Sequence, residues 1–183
     1  MGNKIARIIL GIVIAVAVIA GVYFVLPGQY KNPITQTIQM KTNSNYNEIV
    51  DVLKKTTIPK NKEKEFGAVF EAAVGNPAWT IKEISVDDAG NGAYDVYADG
   101  YKTTISVENE DNSDGMVTHT NAHIRLIFHI TKNGKEIKIG DDVLEPGKSA
   151  YPATIEVDET TYNESDESTY YQKTLDCLVE LGG

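Results

Sequence analysis

Across 183 residues the chain has a single cysteine, Cys177, and a single tryptophan, Trp79. One thiol cannot close an internal disulfide, so stability has to come from a packed core, which about 140 residues can supply. The position of that cysteine also excludes a lipid-modified N-terminal cysteine. Catalytic signatures are missing too. There is no Gly-x-Ser-x-Gly elbow, and Gly90 and Gly92 neither open a helix nor precede a phosphate-loop lysine. No internal repeat is visible. Carboxylate pairs are too common in so acidic a chain to single out an acid–base couple. The expectation is a non-enzymatic protein without a cofactor.

Charge is absent altogether between Ile8 and Tyr30. Ile8 to Leu26 is almost wholly Ile, Leu, Val, Ala, Gly and Phe, and as a helix it would span about 28 Å, close to the hydrocarbon thickness of a bilayer. A lone apolar segment in lipid has to satisfy its backbone as a helix. A cleaved signal peptide is the alternative, with Val18-Ile19-Ala20 as a passable site. The apolar run continues beyond it through Val22-Tyr23-Phe24-Val25-Leu26, which favours an uncleaved anchor. The opening Met-Gly lacks the Ser or Thr that myristoylation wants, since Ala6 stands there. Lys4 and Arg7 precede the segment, and such cationic flanks stay cytoplasmic, so the C-terminal bulk is expected outside the cytoplasm as a single-pass protein. Beyond Arg7 the chain carries 15 basic and 26 acidic residues. That balance repels nucleic acid.

The expected organisation is a cytoplasmic tail over 1–7, an anchor over 8–26, a spacer over 27–44 and an α+β domain over 45–183. Pro27-Gly28 ends the anchor helix. The spacer is polar, with a short edge strand conceivable at Ile34 to Met40. Asn45 caps a helix whose stripe is Ile49, Val50 and Leu53, ending before Pro59. A second helix buries Phe66, Val69, Phe70 and Ala73 and stops at Gly75-Asn76-Pro77.

From Ala78 the period becomes two. Thr80 to Val86 reads as a strand, followed by a loop from Asp87 to Gly92. Tyr94, Val96 and Ala98 then alternate, and Tyr101, Thr103, Ile105 and Val107 share a face. Between them Asp99-Gly100, flanked by apolar alternation, reads as a two-residue hairpin turn. A second hairpin has Ala122, Ile124, Leu126, Phe128 and Ile130 before Asn133-Gly134, with Ile137 and Ile139 returning. Ala153 to Val157 adds a strand. Ser165 to Leu181 reads as a helix with Tyr171, Leu175, Leu178 and Val179 on its apolar side. Cys177 is either buried there or paired between chains. The fold class is thus an antiparallel sheet with helices packed on one face, preceded by one transmembrane helix.

Three histidines, His119, His123 and His129, lie close in sequence. On a strand four residues separate side chains by about 13 Å, so no single ion joins them. With Asn121 and Arg125 they form a polar face that either lines a groove or is simply solvated. Glu110-Asp111-Asn112-Ser113-Asp114-Gly115 has oxygen ligands at alternate positions, but an acidic hairpin loop explains it better than calcium does. Asp87-Asp88 makes a still weaker calcium candidate, and no metal is expected. Tyrosine is abundant, at ten. Tyr94, Tyr97 and Tyr101 crowd one segment, and Tyr162, Tyr170 and Tyr171 another. Such residues suit interfaces and half-buried sheets equally. The candidate interaction surface is Tyr94, Tyr97, Tyr101, His119, His123 and Arg125.

The stretch from Phe66 to Trp79, ending in Gly75-Asn76-Pro77-Ala78-Trp79, resembles a small extracytoplasmic domain of membrane-anchored proteins in Gram-positive bacteria. In those a helix ends in Asn-Pro-x-Trp and leads into a sheet with a Phe/Tyr-x-Gly turn. Tyr97-Ala98-Asp99-Gly100-Tyr101 would be the corresponding turn, one residue longer. The resemblance covers about 60 residues. It implies a cystatin-like or NTF2-like helix-plus-sheet module, with Trp79 plugging the gap between helix and sheet, and carries over no catalytic residue. The leading expectation is a tethered module that binds a protein or cell-envelope component. The alternatives are a structural subunit of a membrane or secretion complex and a small-molecule or lipid carrier with an apolar cavity.

Overall fold

A computed structural model describes residues 2–58, 61–108, 116–158, 160–164 and 169–182, the side chains of 2–8, 10, 11, 61, 108, 169 and 170 excepted. In chain order the elements are helices α1 (Gly2–Val25), α2 (Gly28–Thr42) and α3 (Ser44–Lys54), strands β1 (Thr57–Ile58) and β2 (Asn61–Glu65), and helix α4 (Phe66–Val74). Strands β3 (Ala78–Val86), β4 (Gly92–Glu108), β5 (Met116–Asn133), β6 (Glu136–Ile139), β7 (Asp142–Val143), β8 (Thr154–Val157) and β9 (Thr160–Asn163) follow, and helix α5 (Thr169–Gly182) closes the chain. The protein is α+β. Strands β3 to β9 form one antiparallel sheet in which β5 is central, pairing with β4, β6 and β8.

Alternation along β4 and β5 decides which face is covered. Tyr94, Val96, Ala98, Ala122, Ile124, Leu126, Phe128 and Ile130 all point into the core, where α3, α4 and α5 meet them. The helices present the residues their spacing predicts: Ile49, Val50 and Leu53 from α3, Phe66, Val69 and Phe70 from α4, and Tyr171, Leu175 and Leu178 from α5. Ala73, Cys177 and Val179 are only partly buried and pack around the rim. Four aromatic rings make the centre. Phe66 meets Phe128 edge-on at 5.3 Å, Phe70 meets Trp79 edge-on at 6.2 Å, and Trp79 stacks on Phe128. Edge-to-face pairs add to plain area burial because ring edges are positive and faces negative. Gly75 ends α4 with φ +86°, a conformation that favours glycine, and its N–H returns to Glu71 O at 2.8 Å.

Two expectations are corrected. Asp99-Gly100 is not a turn; β4 runs straight through it as a 17-residue strand. Side-chain phase does switch there, but through β-bulges. One extra residue sits on β4 between Gly100 and Thr103, at Lys102 with φ +61°. A compensating one sits on β5 between Ala122 and His119, at Asn121 with φ +57°. A bulge and a turn both move a strand's apolar set from even to odd positions, which is why the pattern alone misleads. The second correction concerns 27–44, which is the helix α2 rather than a spacer with an edge strand. Pro27 and Gly28 do separate it from α1, as expected.

The remaining turns follow their sequences. Asn133 faces Glu136 across a two-residue connection with Gly134 at φ +59°. The Asp87 carboxylate accepts N–H groups of Ala89 at 2.9 Å and Asn91 at 2.8 Å, closing its loop without an ion. Those bonds from Asn91 hold its carboxyl below the usual range. The Glu110–Gly115 segment considered for calcium and the Ser165 helix start lie outside the described residues.

Among its described side chains helix α1 is largely open, with Phe24 74% and Val25 79% exposed and Ile12 to Val22 similarly open; at its end Tyr23 and Phe24 meet α2. Among the described residues no helix is long and apolar enough to cross a membrane. The side chains described without a gap run only from Ile12 to Val25, about 21 Å of helix.

Gly100 is the position where this fold differs most sharply from a hairpin turn. A Cβ there would fall onto the Val74 side chain at the end of α4. Gly100→Ala should therefore cost about 1–3 kcal/mol of stability by overpacking. Denaturant midpoints would show it, and adding Val74→Ala should recover part of the loss.

Candidate functional site

The outer face of the sheet is polar, and its centre is a carboxylate that water does not reach. Asp99 is 0% exposed although it points away from the apolar core. Its Oδ1 accepts from His123 Nε2 at 2.6 Å and from Arg125 Nε at 2.7 Å; its Oδ2 accepts from Asn32 Nδ2 at 2.9 Å. The same Asn32 amide donates to the Tyr101 hydroxyl at 2.7 Å. Tyr101 in turn lies flat on the His123 ring, with centroids 4.5 Å apart and planes 5° from parallel. The Arg125 guanidinium sits over the Tyr97 ring at 5.2 Å and reaches Glu156 at 3.6 Å.

Sheet register explains this gathering. Asp99 lies opposite Arg125 across the β4–β5 ladder, and Arg125 opposite Glu156 across β5–β8. Gly100 lies opposite Ile124, which puts His123 and Tyr101 diagonally beside the pair. β3 begins at Ala78, opposite Asp99, so β4 has no strand partner on that side beyond this point. The first turns of α2 occupy the space instead, with Gly28 against the Tyr101 hydroxyl and Asn32 over Asp99.

Farther along, α2 seals the open edge of β3 with glutamines. Gln36 Oε1 accepts from Trp79 N at 2.9 Å, Gln39 Oε1 accepts from Ile81 N at 2.9 Å, and Gln39 Nε2 donates to Ile81 O at 2.6 Å. Side-chain amides thus stand in for the next strand, so exposed edge groups do not recruit another chain.

Burial and charge shift two groups here. Burial first, and then the Asp99 charge, push the Tyr101 hydroxyl up to about 12. Burial works against the Arg125 cation, but the Asp99 hydrogen bond and charge outweigh it and raise its pKa. Arg125 thus stays charged beside Asp99. Elsewhere, burial and the Glu83 carboxylate raise Tyr46 to about 12, its hydroxyl donating to Glu83 Oε1 at 2.7 Å.

Of the six surface candidates the structure brings together Tyr97, Tyr101, His123 and Arg125. Tyr94 is not among them: it is 1% exposed on the opposite, core face, donating to Gly90 O at 2.7 Å. His119 stands apart, facing Asp158 at 3.4 Å, and its Nε2 has no hydrogen-bond partner among the described residues. His129 has its own carboxylate, Asp95, at 2.8 Å. Among the described residues no group of His, Cys, Asp and Glu could hold a metal ion. Tyr171 is buried, donating to Pro152 O at 2.5 Å. The residues unanticipated from sequence are Asp99, taken for a turn, and Asn32, Gln36 and Gln39, whose three- and four-residue spacing marks one polar helix face.

Comparison with protein-family models, with curated proteins and with solved structures gives no match. Function therefore has to be argued from the site's chemistry alone. Beside the cluster is a hollow of about 490 Å³ lined by Leu26, Pro27, Gly28, Gln29 and Lys31 together with Asn32, Tyr101, His123 and Arg125. Lys31 and Arg125 bring two cations to it, and no carboxylate is among its lining residues. No serine, threonine or cysteine is among the residues lining the hollow beside His123.

Asp99→Asn removes the anion that Arg125 and His123 face. Breaking a buried pair in this way should cost about 3 kcal/mol in a denaturant titration. The same variant should lower the Tyr101 hydroxyl from about 12 towards the ordinary tyrosine value near 10, read by absorbance at alkaline pH in a difference titration against Tyr101→Phe. The sign for stability follows from proton binding. Between pH 10 and 12 the unfolded tyrosine loses its proton while the folded one keeps it, so stability is full below 10 and falls as pH rises through that window. Tyr101→Phe should flatten the fall.

Proposed function

We propose that this protein is a membrane-tethered module that binds an acidic group of a protein or cell-envelope component outside the cytoplasm. The observation that carries the tether is α1, an apolar helix whose described side chains from Ile12 to Val22 are exposed and which meets the rest of the protein through Tyr23 and Phe24 at its end. An apolar surface of that size is covered by something, and lipid is the partner its composition fits. The charge-free run from Ile8 to Tyr30 supplies the length that a span requires, and Lys4 and Arg7 supply the cytoplasmic flank. Binding is supported by the hollow beside Asp99, where Lys31 and Arg125 stand without a lining carboxylate in a chain of net charge −9. Lys31 offers positive charge there, Arg125 a guanidinium shared with Asp99 and Glu156, and Tyr101 a ring edge; Tyr and Arg commonly anchor recognition. Tethering raises the effective concentration of the module at the membrane, so a modest intrinsic affinity suffices.

The family likeness belongs to the same reading. A helix that ends at Val74-Gly75, with Pro77 just beyond, and delivers Trp79 to a sheet supports a cystatin-like or NTF2-like module, a class in which binding and scaffolding are both known uses of the fold.

Topology is tested with Cys177→Ser protein carrying single cysteines. Lys135→Cys, on an exposed turn, should react with a membrane-impermeant maleimide in intact cells, whereas Asn3→Cys should react only after lysis. Reversed labelling would refute the orientation. Binding is tested by placing a photo-crosslinking amino acid at Gln29, on the rim of the hollow. A discrete adduct should form in intact cells and weaken about tenfold in Arg125→Ala, the loss expected for one charged contact of about 1.4 kcal/mol. Labelling that is diffuse, or indifferent to Arg125, would refute the site.

A further inference from the structure

Helix α2 is amphipathic the wrong way round. Its polar face, Asn32, Gln36 and Gln39, is turned inward onto Asp99 and the β3 edge. Met40 near its end packs against the core, but Tyr30, Ile34 and Ile38, each four residues from the last, form a stripe that is 55%, 42% and 53% exposed. A helix of ordinary hydropathy normally buries such a stripe against its own domain. Here none of the residues of α2 is fully buried, so the stripe faces outward by construction.

Charge says what it faces. The first acidic residue in the whole chain is Glu48. Residues 1–47 hold four cations, Lys4, Arg7, Lys31 and Lys41, and no anion; the rest holds 13 basic and all 26 acidic residues. A strongly negative domain would be pushed off an anionic surface except along this one helix. The stripe is also continuous with the exposed apolar surface of α1. Between them stands only the Leu26-Pro27 connection, and Lys31 reaches back over the Tyr23 and Phe24 rings at 5.3 and 5.8 Å. Thr35 meets the Tyr23 hydroxyl from the same side. An outward apolar stripe with Tyr at one end and Lys31 and Lys41 beside it has the make-up of a helix lying in the head-group layer.

We infer that α2 lies on an anionic lipid surface, with Tyr30, Ile34 and Ile38 entering the head-group boundary while its glutamine face grips the sheet. This deepens, and rests on, the reading of α1 as a membrane anchor. It fixes the orientation of the domain: the β3 edge and the Asp99 hollow stand next to the bilayer rather than far from it. The acidic group bound in the hollow would then be presented close to the membrane.

The test uses the full chain with Cys177→Ser, reconstituted in vesicles of mixed phosphatidylcholine and phosphatidylglycerol whose acyl chains carry bromine quenchers. A fluorophore is placed singly at Val18→Cys in α1, at Ile38→Cys on the stripe, or at Lys135→Cys on a distant turn. Quenching at Val18 and Ile38, each by about twofold or more, with none at Lys135, is the expected result. Quenching at Val18 without quenching at Ile38 would overturn the inference and leave the anchor standing. No quenching at either position would sink the anchor and the inference together. Equal quenching of Ile38 in pure phosphatidylcholine would overturn the assignment to anionic head groups. A lipid-independent disulfide between Ile38→Cys chains would show a second copy on the stripe instead. Lys31→Glu with Lys41→Glu should reverse the preference for anionic vesicles while leaving Val18 quenched.

Discussion

A carboxylate with no access to water has to be surrounded by donors, and the organisation of the polar half of this protein follows from meeting that demand at Asp99. The donors come from two distant parts of the chain: His123 and Arg125 from β5, Asn32 from α2. The sheet alone would leave the Oδ2 side facing solvent or an unpaired void. Only when α2 is docked is the charge both enclosed and hydrogen-bonded, the condition under which a buried ion is tolerable. The carboxylate therefore acts as a latch between the globular domain and the helix that leads to α1. Arg125 suits the role because its guanidinium stays charged and can engage Asp99 and Glu156 while stacking on Tyr97. It is also the only arginine beyond Arg7.

Two different kinds of interaction thus hold the molecule together. On one sheet face, close-packed rings around Trp79 and Phe128 provide burial that is large and indifferent to direction. On the other face and along the β3 edge, the contacts are directional: amide to backbone, amide to carboxylate, ring on ring. Because α2 buries no residue completely, its attachment depends on those hydrogen bonds being made correctly. A helix attached this way has one defined register, since Gln36 and Gln39 must find Trp79 and Ile81 at the same moment that Asn32 finds Asp99.

Periodicity made the apolar half of this architecture legible and left the polar half obscure. The stripes of α3, α4 and α5, the strands β3, β5, β6 and β8, the Asn133-Gly134 turn and the Gly75 helix end all follow from spacing and turn chemistry, because each is decided by residues next to one another. Asp99-Gly100 defeated the same logic. Locally it is a good turn, and the flanking change of phase agrees with a turn; what decides against it is distant, namely Val74 above Gly100 and the three donors around Asp99. The segment 27–44 was obscure for a related reason. A search for apolar stripes on the inward side passes over a helix whose inward side is glutamine and asparagine. Tyr94 and Tyr101 show the same limit within a single residue type. Alternation puts Tyr94, at an even position, under α3 beside Tyr46 and Tyr101, at an odd one, over His123, while the bulge at Lys102, which composition does not announce, returns Thr103 and Ile105 to the core face.

The Asp99 latch and the Leu26-Pro27 connection together give position a physical meaning. Pro27 interrupts the backbone hydrogen bonding between α1 and α2 because it has no N–H to donate, so the two helices meet at an angle set by side-chain contacts rather than by a continuous helix. Those contacts are few: Lys31 over Tyr23 and Phe24, and Tyr23 with Thr35. On the other side of α2 the contacts to the domain are more numerous and include a buried charge. The weaker joint therefore lies between α1 and α2, and the stronger one between α2 and the sheet. Any rocking of the domain relative to α1 would be absorbed at Pro27, with α2 moving as part of the globular body. The hollow lined by Lys31, Arg125 and Tyr101 spans that weaker joint, with Leu26 and Pro27 on one wall and the sheet on the other. A ligand seated there would touch both sides of the hinge, and only by doing so could binding at the sheet alter the angle at which the apolar helix leaves the domain.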